Sequence, residues 1–143
     1  MWRVVWRRIW GAGRNRSLKR EKGQALVEFA MILPLLLLLL LGMVEFARVF
    51  NAGLVVTHCS REGARLAVTG GSDTLIINRA IASAPSLDSS LLEVTVTPIE
   101  ADRARGQEVR VLVRYPVPMV APVISIITGE TVTVQSATVM RME

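Results

Sequence analysis

The sequence predicts an α+β protein. A long N-terminal transmembrane helix continues outside the membrane and packs, with a short helix, on a small antiparallel three-stranded sheet. Three observations predict it. Residues 29–44 carry no charge, and 35–41 are seven consecutive leucines. No proline interrupts the chain between Pro34 and Pro85. Beyond residue 90, three runs alternate apolar and polar residues with the period of half-buried strands.

The chain has 143 residues, 51% of them hydrophobic, enough for one small domain beside a membrane segment. Its mean hydropathy of +0.42 comes largely from the leucine stretch. Charge is divided unevenly. Residues 1–23 hold eight Lys/Arg against one Glu, and residues 24–143 hold nine against eleven acidic residues. The pI of about 10.6 therefore belongs to the basic leader. Basic residues beside a membrane span are explained by the positive-inside rule, so no nucleic-acid partner is expected. One cysteine, Cys59, excludes an intramolecular disulfide framework.

The first element is the basic cytoplasmic leader, 1–23. Trp2, Trp6 and Trp10 fall at i, i+4 and i+8 with Arg3, Arg7 and Arg8 mostly off that face. This pattern fits an interfacial amphipathic helix ended by Gly11 and Gly13, or an unstructured tail. Residues 14–22 are a solvated basic run. An ordinary signal peptide would place a small-residue cleavage site after its apolar region. Here the glycine, Gly23, comes before it.

The second element is a helix over 24–68, with residues 25–47 crossing the membrane. Twenty-three residues rise about 34 Å, enough for a hydrocarbon core. The charge asymmetry directs the N-terminus to the cytoplasm and the C-terminal domain outside. Pro34 should loosen the helix locally. Glu28 is the notable residue. A carboxylate among apolar residues is either functional or a mere marker of the interface, where the helix N-terminal end suits a negative charge.

The remaining segment of this helix carries Arg61, Glu62, Gly63, Ala64 and Arg65. Glu62 can pair with nearby arginines, weakly if exposed. A mid-helix glycine costs about 1 kcal/mol relative to alanine, so Gly63 implies close packing, against the sheet or a partner subunit. His58 and Glu62 share a face, but no third metal ligand is in view. Cys59 reads as a packed side chain or, in an oxidising compartment, an intersubunit disulfide. Thr69 and Gly70 stop the helix.

Residues 72–143 form the small outer domain. Ser72 caps a short helix ended by Pro85. Strands are predicted over 92–97, 108–115 and from 130 towards Met140. Residues 116–127, apolar and proline-rich, are too short to span. They form core cover or an exposed patch for a partner.

Lys22-Gly23-Gln24-Ala25-Leu26-Val27-Glu28-Phe29 resembles the processing site of type IV pilin-like precursors. More narrowly, residues 23–71, with Pro34 in the leucines, Glu45-Phe46 and the 61–65 motif, resemble the TadE-like family of tight-adherence (Flp-type) pilus assembly pseudopilins. The resemblance implies a cut between Gly23 and Gln24 by a membrane prepilin peptidase. It also implies that Glu28, beside Phe29, pairs with the terminal amine of a neighbouring subunit. Phe29 stands where Flp pilins proper favour tyrosine, and the outer domain is larger than a major pilin's. Both point to an assembly or priming subunit in the bacterial inner membrane. Its partners would be the membrane, other pilin-like subunits and the peptidase. The alternative is an uncleaved single-pass anchored binding domain. No enzyme, cofactor or small-molecule substrate is expected, since no nucleophile–base pair, phosphate loop or metal cluster is evident.

Overall fold

The computed structural model describes residues 14–120 and 129–143, with side chains from Gly23 onward. The leader tryptophans and residues 121–127 of the proline-rich stretch, on which the expectation of core cover or an exposed patch falls, lie outside these. Helix α1 spans Arg14–Val68 and α2 spans Asp73–Ala82. Strands β1 (Glu93–Thr97), β2 (Glu108–Pro118) and β3 (Thr131–Arg141) form an antiparallel sheet in the order β1-β2-β3. The predicted α+β architecture is the one found. The chain divides into two compact units, Met1–Leu41 and Gly42–Glu143.

The helix begins at Arg14, ten residues before the expected start at position 24. Residues 14–22 contain good helix formers and neither glycine nor proline, so nothing stops the helix there. Pro34 lies inside α1, which runs on past it. The far end is closed by two backbone bonds. Gly71 N donates to Leu66 O and Gly70 N to Ala67 O, both at 3.1 Å. This is a Schellman closure, and Gly70 supplies the positive φ of 82° it needs.

In the second unit, β2 is the central strand. Its inward residues Val109, Val111, Val113, Tyr115 and Val117 are buried, while Arg110 and Arg114 point out. The strand runs to Pro118, three residues beyond its predicted end. Met119 N donates to Glu130 O and Met142 N to Gln107 O, both at 2.9 Å, so the odd-numbered residues of β2 hold the bonds to β3. Pro116 and Pro118 are even-numbered, and their nitrogens face the other side. There β1 has already ended, at Glu93 opposite Arg114. Neither proline interrupts a ladder bond.

The core lies between the sheet and the two helices. Helix α1 contributes Val56, Cys59, Ala64 and Ala67, and α2 contributes Ile76 and Ala80. Ser60 is also fully buried. Its hydroxyl donates to Thr57 O at 3.0 Å and lies 2.8 Å from Thr138 Oγ1 on β3. A buried hydroxyl needs such partners.

Candidate functional site

The segment singled out by sequence lies in the first unit, where residues 23–41 are all exposed. Gly23 sits within α1, and a side chain there would meet nothing within 4 Å. Gln24 Nε2 donates to Glu28 Oε1 at 3.2 Å, one helical turn on. Among the described residues Glu28 has no ion pair. Leu26, Val27 and Phe29 are 69%, 61% and 57% exposed. Leaving one large apolar side chain in water instead of burying it forgoes about 1.5–3 kcal/mol. A run of this length must therefore be covered by lipid or by other helices. Among the described residues this is the helix long and apolar enough to cross a membrane, and it is a single N-terminal one.

The second predicted cluster lies in the other unit. Gly63 is buried, and a Cβ there would stand 3.1 Å from Val111 Cγ1 and 3.5 Å from Ala80 Cβ and Ile76 Cγ2. The glycine lets α1 approach β2 and α2 together. Glu62 receives Arg79 Nη2 at 3.0 Å and lies 3.7 Å from Arg65 Nη1. The hydrogen bond from Arg79, followed by the charge of Arg65, holds its carboxyl below the usual range. Arg61 and Arg65 are exposed. The motif thus has an inner, packed side at Gly63 and an outer, basic side.

Burial pushes the Cys59 thiol up, away from a reactive thiolate. His58 is exposed. Among the described residues no group of three His, Cys, Asp or Glu side chains converges. A shallow depression of about 250 Å³ is lined by Arg48, Asn51, Tyr115, Val117 and Pro118 among others, and brings no nucleophile beside a base.

Two polar nodes were not foreseen. Glu45, the first charge after the apolar run, is only 5% exposed. Its carboxylate accepts Val120 N at 2.8 Å and pairs with Arg48 Nη1 at 2.8 Å. The second node is Arg103, whose side chain is 3% exposed and pairs with Asp73. Its Nε and Nη1 donate to Pro98 O and Gly71 O at 3.0 and 2.9 Å. Asp73 and Glu100 also exchange backbone–carboxylate bonds, at 3.3 and 3.1 Å. This node ties the start of α2 to the β1–β2 connection. A hint was present for Glu45, three residues before Arg48. None was present for Arg103, one of several charges in a loop.

A family model described as TadE-like protein matches residues 23–65. No curated protein and no solved structure matches the chain.

Proposed function

We propose, from the premise that the chain is TadE-like over residues 23–65, that it is a pseudopilin acting in assembly or initiation of a Flp-type pilus. In general terms a TadE-like protein is a Tad pilus-associated pseudopilin, and the single N-terminal apolar helix fits a single-pass membrane anchor. The finer steps are these. The basic leader stays in the cytoplasm, and residues 72–143 lie outside the inner membrane. A prepilin peptidase cuts between Gly23 and Gln24. Glu28 then pairs with the new amine of a neighbouring subunit. An ammonium and a carboxylate that are each costly in lipid become tolerable together. The chain works through association with pilin-like subunits, without catalysis or cofactor.

The observation that carries this reading is the family match itself, which begins at Gly23 and includes Glu28 and the 61–65 motif. One feature favours the alternative of an uncleaved anchored domain. Helix α1 runs unbroken from Arg14 through Gly23, so a cut there requires local unwinding. Mass spectrometry of the chain produced beside an active prepilin peptidase decides between them. A mature chain starting at Gln24, lost in Gly23→Leu, is expected. A chain still carrying its leader would overturn the processing step.

A further inference from the structure

Residues 42–47, the last of the expected membrane span, belong to the second compact unit. Arg48 follows them directly, and Asn51 lies about one turn further along the same helix. At 1.5 Å of rise per residue, both stand within about 6 Å of the end of the span. The headgroup layer on each side of a hydrocarbon core is about 5–8 Å deep. Arg48 and Asn51 therefore emerge among headgroups. Phe46 and Phe50, on other sides of these turns, are exposed with stacked rings, which suits acyl chains better than water.

Both residues line the depression of about 250 Å³, with Ser86, Tyr115, Val117 and Pro118 among its other walls. Its polar lining is a guanidinium, an amide and two hydroxyls, with no carboxylate. Arg48 gives Nη1 to Glu45, and among the described residues its other N–H groups have no partner. The Tyr115 hydroxyl accepts Asp88 N at 3.4 Å and keeps its own proton to donate. Among the described residues the side chains of Asn51 and Ser86 make no hydrogen bond. The carboxylates that adjoin these residues are engaged, Glu45 with Arg48 and Val120 N, and Asp88 with Ser90.

Donors gathered without a carboxylate among them suit an acceptor that carries negative charge. A guanidinium fork matches two phosphate oxygens, and four of the five N–H groups on Arg48 remain for them. The volume falls below the roughly 300–1,000 Å³ of sites that enclose a drug-sized molecule, so it suits a headgroup and not a whole lipid. A choline or ethanolamine headgroup would bring an ammonium for which the lining has no counter-charge. A glycerol headgroup brings hydroxyls that Asn51 and Ser86 can bond.

We infer that this depression binds the phosphate of an anionic phospholipid whose headgroup ends in hydroxyls, phosphatidylglycerol being the simplest case. A free phosphate shares the chemistry, and the place of Arg48 directly after the span favours the lipid. A headgroup held there ties α1, through Arg48 and Asn51, and β2, through Tyr115, to the bilayer surface. The inference rests on the reading of α1 as a membrane anchor. It needs neither the cut after Gly23 nor a particular orientation, since either leaflet presents headgroups.

The basic leader also attracts anionic lipid, so the test reads the site itself, by side-chain NMR of the full chain in uncharged detergent micelles. Added phosphatidylglycerol should shift the Arg48 Nε–H and Asn51 Nδ2–H signals saturably, at least about fivefold more tightly than phosphatidylcholine. Asn51→Asp sets a carboxylate beside Arg48 without disturbing its bond to Glu45. It should weaken the saturation seen at Arg48 about tenfold or more. Ser86→Glu does the same from the opposite wall and serves if the first variant does not fold. Arg110→Gln, on the outer face of the sheet, should change nothing. Inorganic phosphate, without acyl chains, should not saturate these signals where the lipid does. An equal response to phosphatidylcholine sinks the inference, as does a response that both acidic variants leave unmoved. Saturation by inorganic phosphate at the lipid's own concentration would make this a site for a soluble anion and overturn the lipid assignment. Fractionation of producing cells reads the anchor separately: a chain found outside the membrane fraction would overturn the reading on which the inference rests. Failure of the cut after Gly23 would overturn the processing step and leave these titrations as they are.

Discussion

At the scale of single residues, Gly63 has the clearest consequence. The chain accepts a poor helix former there because even a Cβ would stand 3.1 Å from Val111 Cγ1, with Ala80 and Ile76 in contact behind it, so a larger side chain has no room. Gly63→Leu should cost about 2–3 kcal/mol by overpacking, read as a lowered denaturation midpoint. Arg61 and Arg65, exposed on the same turn, should tolerate alanine within about 0.5 kcal/mol. The Glu62 carboxyl is depressed in the folded state, so its contribution is present above its unfolded titration range and lost as pH falls through the folded one. Removing the first cause, in Arg79→Ala, should raise the Glu62 titration seen by carboxyl NMR and soften the acid limb of the stability profile. The packing role of Gly63 was legible because a glycine amid helix formers demands a reason. The burial of Glu45 was not. It depends on the amide of Val120, 75 positions away, and periodicity carries no information about such a pair.

At the scale of elements, period and punctuation carried the reading. Alternation of valine with threonine or arginine marked β1, β2 and β3, and Thr69-Gly70 marked the end of α1. Gly70 holds a φ of 82°, which side-chain-bearing residues adopt at a cost. Gly70→Ala should therefore destabilise by about 1 kcal/mol in thermal unfolding. The end of β2 was misjudged because two prolines ordinarily stop a strand. Whether a proline nitrogen faces a neighbour or open space depends on the phase of pairing, which is a tertiary property. A direct comparison checks this: Pro116→Ala should be nearly silent, and Val113→Pro, which removes a bond to β3, should cost about 3 kcal/mol or more. The start of α1 was missed for the opposite reason. A charged, solvated run and the first turns of a helix share the same residues.

At the scale of the whole molecule, the split of charge between leader and remainder sets the expected orientation. Cys59 is buried and its thiol is pushed up, so it leaves the background silent for labelling. A single Thr131→Cys variant should react with an impermeant maleimide in intact cells, and Ser17→Cys, combined with Gly23→Leu so that the leader is kept, only after lysis. The reverse pattern would invert the proposed orientation. One further consequence spans the molecule and starts from Ser60. Its hydroxyl meets Thr138 and lies 3.3 Å from Ser136, two even-numbered positions on β3. A slide of β3 by one residue would present Ala137 or Val139 instead, stranding a polar atom in a dry interior at about 1–3 kcal/mol. The same slide would exchange which amides look outward. Ser60 thus acts as a parity check: one oxygen on α1, 71 positions before Thr131, decides which half of β3's backbone groups bonds to β2 and which half faces outward.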